Sequence, residues 1–148
     1  MLLGEYYLSL DDKGRLSIPA TLRRTLREIY APHETTLVVT RFFENCLVVY
    51  PQPEWVVIQQ RLLELPNEPS LRAFTRQLCA SANPCTLDRQ GRLLVPPKLR
   101  RYAEIETDVV VLGVMRKLEV WSPRRWEAYE AQERGRFDSN PHLMDLPL

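Results

Sequence analysis

The chain has 148 residues, 45% of them hydrophobic, with 20 basic and 19 acidic side chains and a net charge of +1. That length holds one domain or two small fused halves around a real core, and no apolar run approaches the roughly 18 residues of a membrane span. Met1-Leu2-Leu3 leads straight into Gly4-Glu5 without a basic flank or a signal-peptide core, so a soluble, cytoplasmic chain is expected. Cys46, Cys79 and Cys85 show no C-x-x-C spacing and have only two His for company. Free thiols in a reducing compartment are expected, with no metal site and no cofactor.

In chain order, Leu8 and Leu10 alternate with Ser9, and Leu16 and Ile18 alternate with Arg15 and Ser17, the period-two pattern of half-buried strands. A hairpin over Glu5 to Ile18 is expected, connected by Asp11 to Gly14. Gly14 supplies the positive φ that ends such a loop, and the Asp11 carboxylate can fold back onto loop N–H groups. Parity puts Arg15 opposite Leu16, so its guanidinium projects from the ribbon just past the turn. Pro19 opens a helix to Ile29 with Leu22, Leu26 and Ile29 at helical spacing and Arg23, Arg24 and Arg27 beside them. Leu37 to Arg41 and Cys46 to Tyr50 are dense in β-branched residues and predict a second hairpin around Phe42-Phe43-Glu44-Asn45. Pro51 and Pro53 start a helix over Glu54 to Leu65 that carries Trp55, Ile58, Leu62 and Leu65. After the linker-like stretch 65–69, a helix over Ser70 to Ala80 packs Leu71, Phe74 and Leu78.

Beyond Asn83-Pro84 the order repeats. Asp88-Arg89-Gln90-Gly91-Arg92-Leu93-Leu94-Val95-Pro96 copies Asp11-Asp12-Lys13-Gly14-Arg15-Leu16-Ser17-Ile18-Pro19 at a distance of 77 positions, with five identities in nine. Leu22-Arg23-Arg24 returns as Leu99-Arg100-Arg101, and Trp55 as Trp126. The expected elements are a hairpin through Leu87 to Val95, a helix from Pro97, strands Val109 to Val114 and Lys117 to Trp121, and a helix opened by Ser122-Pro123. Phe137 to Leu148 has two prolines and no period. It reads as a loose tail whose Leu143, Met144, Leu146 and Leu148 are free to dock on a neighbour.

Charge is unevenly spread. Residues 11–27 sum to +3 and residues 88–101 to +4, leaving about −6 elsewhere, and 17 of the 20 basic residues are Arg. Arg suits planar, bidentate contacts to phosphate or guanine. A single D-x-x-G-R turn is ordinary hairpin chemistry. Its duplication is informative, because a turn needs Asp and Gly but has no structural need for Arg at the same outward position twice. No G-x-S-x-G, H-E-x-x-H, P-loop or G-x-G-x-x-G is present, so no enzyme is expected. A two-stranded ribbon fits the major groove, and Arg on it can pair with guanine. Leu94 is apolar at a position that parity puts on the outward face of its strand.

These residues carry a resemblance. The opening Met1 to Glu5, the L-D-x-K-G-R-L-x-x-P motif at Leu10 to Pro19, Leu47 to Trp55, and the second L-D-x-x-G-R-L-x-x-P at Leu87 to Pro96 resemble the MraZ family of bacterial transcription regulators over nearly the whole chain. The resemblance implies an α+β fold, a duplicated AbrB-like swapped-hairpin (double-split) β-barrel with peripheral helices. Its expected parts are a first hairpin-barrel half at 1–66, a connecting helix at 67–82, a second half at 83–135 and a flexible tail at 136–148. It further implies a nucleoid-associated homo-oligomer, a ring, that binds double-stranded DNA at repeated boxes in the promoter of its own operon, the division and cell-wall gene cluster. No membrane and no small-molecule substrate are expected as partners. Lys13, Arg15, Arg23, Arg24, Arg89, Arg92 and Arg100 are the candidate DNA-binding residues, with Asp11, Gly14, Asp88 and Gly91 shaping the loops. The second copy departs from the first at Gln90, which stands for Lys13, and at Leu94, which stands for Ser17. The alternative is an antitoxin-like or scaffold module whose basic ribbons meet an acidic protein.

Overall fold

A computed structural model describes residues 1–147. Among these the elements run β1 (Leu2–Ser9), β2 (Arg15–Ser17), α1 (Ala20–Tyr30), β3 (Thr36–Arg41), β4 (Leu47–Pro51), α2 (Gln52–Leu63), α3 (Pro69–Ala80), β5 (Asn83–Thr86), β6 (Arg92–Leu94), α4 (Pro97–Tyr102), β7 (Asp108–Met115), β8 (Lys117–Trp121), α5 (Pro123–Glu133) and α6 (Pro141–Met144). The fold is α+β. Six strands form one antiparallel sheet in the order β1-β7-β8-β4-β3-β5, and β2 and β6 form a separate ribbon. Reading the sheet from either edge gives the repeated elements in mirrored order, with the β4–β8 pair at its centre.

The expected pairing of the strands that flank each motif is corrected by the structure. Asp11 N donates to Arg15 O at 3.0 Å and closes the turn, but the strands then part. β1 pairs with β7 from Leu2↔Met115 to Ser9↔Asp108, and β2 pairs with β6 from the other copy. Likewise Asp88 N donates to Arg92 O at 3.1 Å, while β5 pairs with β3. The physical reason lies in burial. A lone hairpin of three-residue strands is marginal in water, whereas joining β2 to β6 sets Leu16 and Leu93 side by side on the core, both 0% exposed. Full burial of one such side chain stabilises by about 1.5–3 kcal/mol.

The sheet is covered on both faces. On the inner face Leu37, Val39, Leu47, Val49, Val109, Val111, Leu118 and Val120 meet the ribbon's Leu16, Ile18, Leu93 and Val95 and the helix residues Leu22, Leu26 and Leu99. On the outer face α2 and α3 bring Trp55 and Leu78 onto Val38, Val48 and Tyr50, and α5 brings Trp126 and Tyr129 onto Val110, Leu112 and Trp121. α3 is also tied to the sheet by Thr40 Oγ1, which donates to Leu78 O at 2.6 Å. The buried stripe of α1 is Leu22, Leu26 and Tyr30. Ile29, expected inward, is exposed, because at 3.6 residues per turn it lies about 60° of rotation from the centre of that stripe.

The segment expected to be a loose tail forms two short helical turns, Phe137–Ser139 and α6, the second capped by the Asn140 side chain, which accepts from His142 N at 2.9 Å. Leu148 lies outside the described residues. No helix among those described is long and apolar enough to cross a membrane.

Candidate nucleic-acid interface

Each turn is built by its own aspartate. Asp11 Oδ1 accepts from Lys13 N at 3.0 Å and from Arg15 N at 2.8 Å, while Oδ2 accepts from Arg15 Nε at 2.6 Å. Asp88 does the same: Oδ1 accepts from Gln90 N and Arg92 N, both at 2.9 Å, and Oδ2 from Arg92 Nε at 2.7 Å. A side chain that folds onto loop N–H groups is the expected use of Asp in a turn. The further bond to Nε holds each guanidinium in one orientation. It leaves the two Nη groups, which form the end-on fork suited to a planar acceptor.

These bonds also set the charge of the site. The Arg15 amide, then the Arg15 side chain and the Lys13 amide, hold the Asp11 carboxyl below the usual carboxylate range against the opposing effect of desolvation. The Arg92 amide and side chain and the Gln90 amide do so for Asp88. Hydrogen bonds to the ionised form favour it. Both aspartates therefore remain charged at neutral pH and keep their arginines fixed.

The ribbon places the two turns together. Arg15 pairs with Leu94 and Ser17 with Arg92, and the ribbon is extended by Ile18 N donating to Gly91 O and Val95 N donating to Gly14 O, both at 3.0 Å. The outward side chains are thus Arg15, Ser17, Arg92 and Leu94 on a support whose inner side is buried. The copies are not equivalent. Arg92 Nη1 also lies 3.8 Å from Asp11 Oδ2, and no reciprocal ion pair joins Arg15 to Asp88 among the described residues. Arg92 is shared between two carboxylates and Arg15 belongs to one.

The helix arginines divide into two kinds. Arg23 and Arg100 cross to the opposite turn, Arg23 packing on Gly91 and Arg100 on Gly14, and Arg23 Nε donates to Ile18 O at 3.0 Å. Both are half-buried, so they back the turns as well as carrying charge. Arg24, Lys13 and Arg89 are exposed. A cleft of about 340 Å³ beside the second turn is lined by Arg23, Arg27 and Arg89 together with Glu34 and Asp88. Period-two alternation and helical spacing carry neither the cross-strand pairing of Arg15 with Leu94 nor the crossing of Arg23 and Arg100. The 77-residue offset shared by the turn motif and by Leu22-Arg23-Arg24 is the signal that held both, since a duplicated unit with pseudo-twofold symmetry brings equivalent elements together at its axis.

Elsewhere the chemistry is sparse. Cys46, Cys79 and Cys85 are free. Burial raises the Cys46 thiol, and it pushes Cys85 up to about 11. No group of three or more His, Cys, Asp or Glu fit to hold a metal ion occurs among the described residues.

The fold and the site define a duplicated α+β protein that presents two aspartate-braced arginines on one ribbon. The family described as "MraZ protein, putative antitoxin-like" matches residues 1–77 and again 78–145. Proteins named "Transcriptional regulator MraZ" are similar over nearly the whole chain: that of Desulforamulus reducens is 40% identical over 99% of both chains, that of Pediococcus pentosaceus 40% over 100% of both, and that of Natranaerobius thermophilus 39% over 94% of this chain and 93% of its own. The chain belongs to the MraZ family.

Proposed function

We propose that this chain is a cytoplasmic, nucleoid-associated transcription regulator that binds double-stranded DNA sequence-specifically as a homo-oligomer. The carrying observation is the β2–β6 ribbon, which sets Arg15 and Arg92 on one outward face with their guanidiniums fixed by Asp11 and Asp88. A two-stranded ribbon fits the major groove. In this reading Arg15 and Arg92 reach base edges, Lys13, Arg24 and Arg89 hold phosphates, and Arg23 and Arg100 hold phosphates while bracing the turns. Relatives named as transcriptional regulators support it.

The exchange of short strands between the two copies of the motif supports a swapped-hairpin barrel, with halves at 1–66 and 83–135, a connecting helix at 67–82 and a tail at 136–148. Exposed Met1, Leu3 and Met115 at one end of the sheet, and an apolar groove of about 450 Å³ between α2 and α3, support assembly into a ring. The proposed targets are repeated boxes in the promoter of the chain's own operon, the division and cell-wall gene cluster. No catalytic role is proposed.

A second reading, a protein-interaction module, draws on the antitoxin-like description of the family. Salt dependence separates the two. If several Lys and Arg neutralise phosphates, log K on the native promoter falls linearly with log salt at about −0.9 per contact. A flat response, or equal affinity for promoter and random duplex, would favour the interaction module.

A further inference from the structure

We infer that Leu94 reads a thymine methyl group, close to the base addressed by Arg15; this rests on the DNA reading above. The outward face of the ribbon holds two cross-strand pairs, Arg15 opposite Leu94 and Ser17 opposite Arg92. The repeat relates Arg15 to Arg92 and Ser17 to Leu94, so the face would be symmetric but for one exchange of a hydroxymethyl for an isobutyl group. Leu94 is 51% exposed and belongs to none of the apolar clusters, while its neighbour Leu93 is 0% exposed. The fold therefore makes no use of the Leu94 side chain.

An apolar group flanked by guanidiniums gains nothing from phosphates. Along the major-groove edges of the base pairs, the C5-methyl of thymine is the apolar group available to it. Facing side chains in an antiparallel pair have Cβ atoms about 4.5–5.5 Å apart, and bases stack at about 3.4 Å. The thymine thus lies within about two base pairs of the base that Arg15 contacts. Ser17, at the equivalent position on the other diagonal, offers a hydroxyl instead, so one protomer reads its box with unlike ends.

The test begins with duplexes selected from a random-sequence library by the intact oligomer. Each thymine of the consensus is then replaced by deoxyuridine, which lacks only the methyl. The wild type should lose about fourfold in affinity at one thymine, the amount expected for one buried carbon. Leu94→Ser and Leu94→Ala should bind the thymine and deoxyuridine forms alike and keep the wild-type mass in light scattering. Absence of any methyl effect, or its persistence in Leu94→Ser, overturns the inference while leaving the DNA reading intact. A change of mass in Leu94→Ser overturns it by making Leu94 a subunit contact. If the library yields no consensus and Arg15→Ala binds random duplex as the wild type does, the DNA reading fails and takes this inference with it.

Discussion

Arg23 lies across Gly91 on the opposite copy of the motif, its Cδ only 2.5 Å from where a Cβ on that glycine would stand. Gly14 faces Arg100 in the same way, but its nearest neighbour is the terminal Cζ at 2.9 Å. Both glycines are left-handed, with φ of +73° and +79°. Left-handed backbone costs a residue with a Cβ about 1–2 kcal/mol, so each Gly→Ala change should lower stability by at least that much. The guanidinium end of Arg100 can swing aside, whereas the Arg23 stem, fixed by the bond from Nε to Ile18 O, cannot do so cheaply. Gly91→Ala is therefore expected to cost more than Gly14→Ala in denaturant titrations. Equal costs would show that Arg23 is not held.

Acid should release the turns. Asp11 and Asp88 have folded pKa values lowered from the ordinary 3.8, so the native state binds these protons more weakly than the unfolded chain. Their contribution to stability is present above the ordinary value and is lost as pH falls through the lowered folded values. Melting the wild type and an Asp11→Asn/Asp88→Asn variant across pH should give a deficit for the variant at neutral pH that closes below about pH 3.8. A deficit that persists unchanged in acid would mean the carboxylate charge is not what holds the turns.

Cysteine labelling should follow burial. Cys46 is 0% exposed and its thiol is raised by desolvation, while Cys79 is exposed. Alkylation of the native protein, read by peptide mass, should modify Cys79 and spare Cys46 until denaturant is added. Early labelling of Cys46 would place the start of β4 and the α5 cover over it in a loosely packed state.

In the proposed reading, assembly is the basis on which weak single contacts become tight binding. Light scattering at micromolar concentration should give a mass several times that of one protomer. A protomer mass would remove the ring and the avidity it supplies.

Much of this was legible in the sequence. The period-two alternation around Arg15 and the buried Leu16 and Ile18 agree, as do the β3–β4 pair flanking Phe42-Phe43-Glu44-Asn45 and the β7–β8 pair flanking Arg116. What was not legible was partner choice. Alternation says which face of a strand is buried but carries no information on which strand lies beside it, so β1 and β2 were expected to pair with each other. Arg15 is expected to project from the ribbon just past its turn, and to that the structure adds a bond from its Nε to Asp11. A carboxylate four residues earlier can cap a turn or pair with a side chain, and only the backbone path decides that it does both.

Two braced arginines on one ribbon are proposed to read DNA, Arg15 more than Arg92. The direct measurement is the affinity of wild type, Arg15→Ala and Arg92→Ala for the native promoter and for random duplex. A bidentate contact to guanine is worth about 1–3 kcal/mol of discrimination, whereas loss of a phosphate contact weakens all sequences alike. Arg92 is shared with Asp11 across the ribbon, so Arg15→Ala should remove more of the preference for promoter, with oligomer mass unchanged. Equal loss of specificity in the two variants would contradict the asymmetry, and no loss in either would show that the ribbon is not the reading head.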